Sequence, residues 1–140
     1  MPEQQQQQVA RLKEVIAMIR PQRWGETRAR LQALDVPAFT QQRVLGRGRQ
    51  RGLRYLPRYV AADGWGIRYL QKRMIWLIVE DSEVERLVQA ILDANRTGQG
   101  GDGKIFVLPI DDVVRIRTGD HGVDALRAER RFEPVYGTAC

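Results

Sequence analysis

The sequence contains very little of the residues that build disulfides, thiolate metal sites and histidine-based catalytic centres. Its 140 residues include one cysteine, Cys140, and one histidine, His121. A single cysteine cannot form a disulfide within the chain, and no cluster of metal-binding residues surrounds the histidine. We therefore expect no disulfide and no thiolate metal site within one chain, and we interpret His121 as a loop residue beside a glycine turn.

Export and membrane signals are also absent. The first residues lack a basic, apolar signal-peptide pattern, and no apolar run approaches the length of about 20 residues that a membrane helix needs. We expect a cytoplasmic protein without a membrane span. A run of glutamines and a polar end predict flexible tails at residues 1–10 and 127–140, which flank one domain at 11–126.

No nucleophile–base pair or cluster of catalytic carboxylates can be recognised, which favours a binding protein over an enzyme. The composition is ordinary for one soluble globular domain, with 43% apolar and 29% charged residues. The formal net charge of +6 comes mostly from arginine. A positive charge favours anionic partners such as nucleotides, nucleic acid or an acidic protein surface.

A glycine-rich segment stands out against this background. Residues 97–103 carry four glycines, which can adopt positive φ angles and turn backbone N–H groups toward an anion. A strand predicted at residues 105–110 follows directly and would give the loop a rigid base, with Lys104 at the junction. The segment therefore predicts a phosphate-binding loop. The alternative is a glycine-rich surface turn.

Two arginines follow this strand at alternating positions. In Val114-Arg115-Ile116-Arg117, strand geometry would place both arginines on one face. Two guanidinium groups near a loop lined by N–H groups suit a polyphosphate. The alternative is a solvated basic edge.

The apolar pattern predicts four strands and two helices. The strands are expected at residues 15–19, 38–46, 74–79 and 105–110, and the helices after Pro21 and after Ser82. Ser82 and Glu85 have the spacing of a capping box. The order β-α-β, a long loop at about 47–70, then β-α-β predicts an α+β, ferredoxin-like βαββαβ sandwich. Strands one, three and four are apolar on both faces, so self-association is the simplest cover for the second face.

Several segments resemble the PII signal-transduction family. Residues 97–107 (TGQGGDGKIFV) and 115–119 (RIRTG) resemble its nucleotide-binding loop and the strand that follows. Residues 46–52 (GRGRQRG) resemble the start of its long T-loop, and residues 16–21 (IAMIRP) resemble its first strand. The resemblance spans about residues 12–126 and implies a trimer with ligand sites between subunits. The sequences at residues 72–73 (KR) and 95–98 (NRTG) most resemble those of the NifI-type branch, which switches nitrogenase off when fixed nitrogen is plentiful.

The resemblance implies a site for ATP or ADP. It assigns to this site Thr40, Gly48, Arg49, Gln50, Gly101, Asp102, Gly103, Lys104, Arg115 and Arg117. Because Asp102 is a carboxylate among phosphate ligands, we expect it to accept backbone N–H bonds and shape the loop rather than to contact phosphate.

A second ligand, 2-oxoglutarate, is implied together with Mg²⁺. Gln50 would ligate a magnesium ion that bridges the ATP phosphates and the 2-oxo acid group, and Lys72 would pair with the distal carboxylate. The residues implied for 2-oxoglutarate are Gln50, Arg51, Gly52, Lys72 and Gly101. Without the resemblance, Gln50 would be interpreted as a solvated loop residue and Lys72 as a surface charge at a strand end.

The function implied is a nitrogen-regulatory sensor whose long loop controls a partner enzyme, with nitrogenase as the first choice. The chain would assemble with itself or with a PII-like paralogue. Another PII target, such as an ammonium channel or glutamine synthetase, is the alternative. An RNA-binding module shares the fold class, but residues 104–107 lack the aromatic pattern of such domains. A nucleotide hydrolase would need a water-activating residue, and none stands out.

Three departures from the family pattern bear on these expectations. One is Trp76, which stands where many members have an acidic residue near the nucleotide. Gln99 stands where many members have a lysine that reaches the terminal phosphate, so the preference for ATP over ADP should be weaker. The loop from residue 48 to 70 is longer than the common form, and none of its tyrosines aligns securely with the one that is uridylylated in some members. We therefore predict no such modification. The alternative for the loop is a disordered insertion.

Overall fold

Four antiparallel strands form one sheet in the order β2-β3-β1-β4. The structure is a computed structural model that describes residues 12–36, 38–48 and 69–128. The strands are β1 (Leu12–Ile19), β2 (Thr40–Gly46), β3 (Leu70–Glu80) and β4 (Lys104–Ile110). The helices are α1 (Trp24–Ala33), α2 (Val84–Asn95) and the short α3 (Gly122–Leu126), and 3-10 turns occupy Pro21–Arg23 and Asp81–Glu83. The predicted ferredoxin-like α+β fold is confirmed.

Alternation along the two central strands builds the core. Odd-numbered residues at 15–19 of β1 and 75–79 of β3 are buried and face the helices, which contribute Leu31 from α1 and Leu87 and Ile91 from α2. The strand residues of this core are Val15, Ala17, Ile19, Ile75, Leu77 and Val79. The two helices therefore cover one face of the sheet, as predicted.

The opposite face of the sheet is also apolar. Ile16 in β1 lies in register with Trp76 in β3 and with Phe106 in β4. Trp76 is 44% exposed and Phe106 is 46% exposed in the single chain. The apolar second face expected from the sequence is present, and we call it the open face.

A buried polar contact joins the two long helices. The Asn95 side chain donates to Thr27 Oγ1 at 3.0 Å and to the Ile91 carbonyl at 2.9 Å. Thr27 in turn donates to the Arg23 carbonyl at 2.7 Å. Each donor therefore has a partner, as burial requires.

The strand predicted for the two arginines is wrong. Val114 forms one isolated bridge with His121, and residues 116–118 are a turn that the Gly119 N–H closes on the Arg115 carbonyl at 2.7 Å. Gly119 has a φ of 74°, which favours glycine, and the chain therefore reverses before a second strand pair can form. The alternation of apolar and basic residues at 114–117 favours a strand, but the segment is short and the turn at 116–118 forms instead.

The predicted capping box is also wrong. Helix α2 begins at Val84 with Glu83 as N-cap, and no side chain caps it. The preceding 3-10 turn uses the Val84 N–H, which donates to the Asp81 carbonyl, and Glu83 pairs with Arg86 at 2.5 Å instead. The short helix α3 was not predicted, because five residues are too few to show a helical period.

Several sequence expectations concern parts of the chain outside the described residues. These are the tail at 1–10, residues 49–68 of the long loop and residues 129–140. The domain limits and the loop therefore stay predictions. In the part of the chain that is described, no helix has both the length and the apolar character to cross a membrane.

Candidate anion-binding loop

One carboxylate organises the glycine-rich loop between α2 and β4. Asp102 accepts the backbone N–H groups of Thr97 at 2.9 Å and Gly98 at 3.0 Å, and the Thr97 hydroxyl at 2.5 Å. Burial alone would raise the pKa of Asp102, but these hydrogen bonds and the charge of Arg20 together lower it below the usual value. Asp102 thus has the loop-shaping contacts that the sequence predicted.

Arg20 connects this loop to the end of β1. Its guanidinium lies 2.8 Å from Asp102 Oδ1 and donates to the Gly100 carbonyl at 2.7 Å. Pro21 restricts Arg20 to extended backbone, which carries its side chain past the strand end. The planar fork of an arginine can hold a carboxylate and a carbonyl together. The sequence analysis did not assign Arg20 to the site, although an arginine directly before a proline at a strand end was a visible signal.

The loop returns to the sheet at a position that accepts only glycine. Gly103 has a φ of 110°, and a Cβ built on it would lie 1.8 Å from the Met18 carbonyl oxygen. The backbone of the loop therefore packs directly against β1 before Lys104 begins β4. This close approach gives the loop the rigid base expected from the strand that follows it.

Lys72 reaches the same loop from β3. Its ammonium donates to the Gly101 carbonyl. Burial lowers the pKa of Lys72, the Arg20 charge lowers it further, and the Asp102 charge opposes both effects. The structure thus brings together Lys72 and Gly101, two residues predicted for one ligand, beside Arg20.

The two C-terminal arginines lie in a turn rather than on a strand. Arg115 pairs with Asp120 at 3.1 Å and donates to the carbonyls of Asp124 and Ala125 at 3.2 and 2.9 Å, and to that of Arg127. These contacts make Arg115 an anchor for the C-terminal end of α3. The expectation that strand geometry aligns Arg115 with Arg117 is not met.

A second small network closes the base of this turn. Asp112 Oδ2 lies 2.8 Å from His121 Nδ1, and Asp112 Oδ1 accepts the Gly122 N–H at 3.1 Å. The contact with His121 is the first cause that lowers the pKa of Asp112. His121 is thus a loop residue, as predicted, with a carboxylate partner that the sequence did not reveal.

The remaining predicted site residues divide into two groups. Thr40 begins β2 in register with Trp76, and Gly48 follows the end of β2. Arg49, Gln50, Arg51 and Gly52 lie outside the described residues. Within the described ranges, no three histidine, cysteine or acidic side chains form a group that could hold a metal ion.

The sequence profile described as "Nitrogen regulatory protein P-II" matches residues 12–120. The chain belongs to the PII family. This match includes the glycine loop, its Arg20 and Lys72 contacts and the Arg115 turn, so the family assignment and the candidate site rest on the same residues.

Several named PII proteins are similar to this chain. "Nitrogen fixation nifHD region GlnB-like protein 2" of Methanothermobacter marburgensis is 48% identical over 122 residues, which cover 82% of this chain and 100% of the relative. A protein of the same name from Methanococcus maripaludis is 40% identical, with 82% and 100% covered. "Nitrogen regulatory protein P-II" of Azospirillum brasilense is 41% identical, with the same coverage. The first two names support the resemblance to the NifI-type branch.

The fold is similar to that of a solved PII structure. The crystal structure of Arabidopsis thaliana PII bound to citrate aligns with a TM-score of 0.66 and 30% identity, covering 83% of this chain and 92% of that chain. The chain is therefore a PII-type nitrogen regulatory protein with the family fold.

Proposed function

We propose that this PII protein senses ATP, ADP and 2-oxoglutarate and controls a nitrogen-metabolism target, with nitrogenase as the first candidate. The observation that supports this most is the glycine loop itself. Asp102 and Arg20 hold it in a defined conformation, and Lys72 contacts it from β3. A loop that contacts within the chain hold in place loses less conformational entropy on binding.

In this proposal the nucleotide phosphates contact the loop at Gly101, Gly103 and Lys104. The loop backbone supplies N–H groups, and Lys104 supplies a positive charge at the first position of β4. Arg115 and Arg117 add guanidinium groups from the C-terminal turn of the same or a neighbouring subunit. Thr40, Gly48, Arg49 and Gln50 complete the site from β2 and the residues after it.

The second ligand in the proposal is 2-oxoglutarate. Because the pKa of Lys72 is lowered, its ammonium lies in surroundings that a bound carboxylate would improve. Gly101, which Lys72 contacts, belongs to the same proposed set with Gln50, Arg51 and Gly52. Magnesium would be held by Gln50 and the phosphates, and it would supply the charge that links the two ligands. Lys72 and Gly101 are the described members of this set, and their contact supports a place for the carboxylate end of the ligand.

Assembly and partner complete the proposal. The apolar open face fits burial against further copies of the chain, as a homotrimer or with a PII-like paralogue. The relatives named for the nitrogen fixation nifHD region favour nitrogenase as the target. The long loop at 47–70 would contact the target without catalysing a reaction. A sensor of ATP and 2-oxoglutarate would act in the cytoplasm, where both metabolites are made.

The coupling between the ligands provides the test. Titration calorimetry would measure 2-oxoglutarate binding to protein alone, with Mg-ADP and with Mg-ATP. We expect binding only with Mg-ATP, because ADP lacks the phosphate that would hold the metal. Linkage then requires 2-oxoglutarate to tighten ATP binding by the same factor.

Two variants separate the parts of this proposal. Gln50→Ala should abolish the 2-oxoglutarate response and retain most of the ATP affinity. Lys104→Ala should weaken ATP and ADP binding by at least about 1.5 kcal/mol, the scale of a charge-assisted hydrogen bond. Equal 2-oxoglutarate binding under all three conditions would contradict the coupling. Unchanged nucleotide binding in Lys104→Ala would contradict the assignment of the loop.

A further inference from the structure

Two arginines lie directly opposite each other on neighbouring strands of the sheet. Arg43 of β2 is in register with Arg73 of β3, so the two side chains leave the same face of the sheet side by side. Like charges at such positions repel each other and destabilise a sheet. In the part of the chain that is described, no carboxylate forms an ion pair with either arginine. We call these two residues the arginine pair.

The arginine pair lies on the helical side of the sheet. Arg73 continues the alternation of Ile75 and Leu77, whose side chains face the helices. Lys72 belongs to the opposite face of β3, and it is Lys72 that contacts Gly101 in the glycine loop. A ligand of the arginine pair would therefore occupy a different side of the sheet from a ligand at that loop.

Neighbouring side chains hold Arg73 in position. Its guanidinium carbon lies 5.8 Å from the centre of the Trp24 ring, which is a cation–π distance. Trp24 packs edge to face against Phe39, with the ring centres 5.3 Å apart. Arg73 also donates to the side-chain oxygen of Gln41. A guanidinium that is already fixed in this way loses less rotamer entropy when a ligand binds to it.

The arginine pair has hydrogen-bonding capacity that the described residues do not use. Arg73 Nε is buried and has no hydrogen-bond partner among them. Arg43 is exposed, and its side chain forms no hydrogen bond within the same ranges. Each guanidinium carries several N–H donors, and a buried donor without an acceptor is unfavourable. An anion with several oxygens would supply both the acceptors and the negative charge that the pair lacks.

The number of donors favours a phosphate-type ligand over a single carboxylate. One arginine can bind both oxygens of a carboxylate through parallel hydrogen bonds, which leaves a second arginine without a role. A phosphoryl group offers an additional acceptor oxygen and a charge of about −2. We propose that Arg43 and Arg73 form a binding site for a phosphate-type oxyanion on the helical side of the sheet, separate from the glycine loop.

The test is titration calorimetry of the full-length chain with inorganic phosphate, at constant ionic strength and in the presence of Mg-ADP. The nucleotide occupies the glycine loop, so that phosphate is measured at the arginine pair. We expect Arg43→Gln and Arg73→Gln each to weaken phosphate binding by about tenfold or more, the effect of one lost charge-assisted hydrogen bond. Arg73→Lys keeps the charge but not the planar fork, and its affinity should fall between the two.

Arg28→Gln is the matched control. Arg28 is an exposed residue of α1, and its replacement removes one positive charge without altering the arginine pair. This variant should leave the phosphate affinity unchanged. Lys104→Ala, which alters the glycine loop, should also retain phosphate binding at the pair. Thermal unfolding checks each variant, and Arg43→Gln should not destabilise the fold because it removes a repulsion between like charges.

Two further probes define the ligand. Malonate carries its two charges on separate carboxylates, and we expect it to bind more weakly than phosphate. Phosphoserine distinguishes the source of the phosphoryl group. Tighter binding of phosphoserine than of inorganic phosphate would assign the site to a phosphorylated molecule, and the reverse order would assign it to the free ion.

Three outcomes would overturn the inference. The first is a phosphate affinity that neither Arg43→Gln nor Arg73→Gln changes, which includes the absence of binding to the unmodified protein. The second is an equal loss in Arg28→Gln, which would show an effect of net charge alone. The third is tighter binding of malonate than of phosphate. A failure of the unmodified protein to bind ADP would instead refute the proposed function, and the same variants titrated without nucleotide would still test the arginine pair.

Discussion

Asp102 joins both ends of the glycine loop through one side chain. It accepts hydrogen bonds from Thr97 and Gly98 at the start of the loop, and it pairs with Arg20 at the end of β1. Its negative charge would repel a phosphate, but its position lets it hold the backbone that binds one. A residue with this task contributes to affinity without touching the ligand.

Removal of this carboxylate should therefore weaken nucleotide binding. Asp102→Ala leaves two N–H groups without their acceptor and Arg20 without its opposite charge, and we expect a loss of about 1–3 kcal/mol in binding free energy. Asp102→Asn keeps an acceptor oxygen and should lose less. Calorimetry with ATP measures both, and Asp111→Asn, an exposed carboxylate after β4, is the control. An Asp102→Ala protein that binds ATP with full affinity would exclude this role.

Lys72 should make 2-oxoglutarate binding depend on pH. Its pKa is lowered from the usual 10.5 by burial first and by Arg20 second. As pH rises through this lowered value, Lys72 loses its charge and the affinity for a carboxylate should fall, at a lower pH than an ordinary lysine would produce. The stability of the folded chain depends on pH with the opposite sign. The protonated lysine opposes folding below its lowered pKa, and that cost disappears above 10.5.

Lys72→Arg provides the comparison for this prediction. Arginine stays charged over the whole range, so the alkaline loss of affinity should disappear in this variant. Calorimetry with 2-oxoglutarate and Mg-ATP at a series of alkaline pH values measures both proteins. An identical pH profile for the two would show that another group controls the titration.

At the scale of elements, the α1–α2 pair depends on one buried polar bridge as well as on apolar packing. Asn95 is 6% exposed and donates across the interface to Thr27 and back to the Ile91 carbonyl. Asn95→Ala removes these bonds and creates a small void, so we expect a loss of about 1–3 kcal/mol in the free energy of unfolding. Urea denaturation measures it.

The control for this element is Gln89→Ala. Gln89 lies on the exposed side of α2, where its side chain donates to Asp93 at 2.8 Å. Because water replaces such an exposed bond, this variant should change the free energy of unfolding by no more than about 0.5 kcal/mol. Equal stability of the Asn95 and Gln89 variants would mean that apolar packing alone holds the helices together.

For the whole molecule, the open face should decide the state of association. Ile16, Trp76 and Phe106 lie side by side across three strands, and water would contact them in an isolated chain. We expect light scattering to give a mass near three chains. Phe106→Glu places a charge in this row and should lower the mass toward one chain without loss of secondary structure, because Phe106 points away from the core. Gln89→Glu, on the helical side, should leave the mass unchanged.

By itself, the sequence determined the local elements and the family. Apolar residues at strand and helix periods predicted four strands and two long helices, and a run of glycines predicted the loop at 97–103. The structure contains all of them. These features depend on neighbours within one turn or one strand, so a pattern of nearby residues is enough to specify them. The segments that carry the PII resemblance are likewise runs of neighbouring residues, and the family match to residues 12–120 confirmed that resemblance.

The tertiary structure decided which side chains meet at the loop. Arg20, Lys72 and Asp102 are far apart in sequence, and the strand order β2-β3-β1-β4 brings the ends of their elements together. Tertiary contacts also explain why a turn forms where the sequence predicted a strand with two arginines. Gly119, and the contacts of Arg115 with Asp120 and with backbone carbonyls, stabilise a reversal of the chain. Local alternation carries no information about such contacts, since they depend on where the chain returns after it folds.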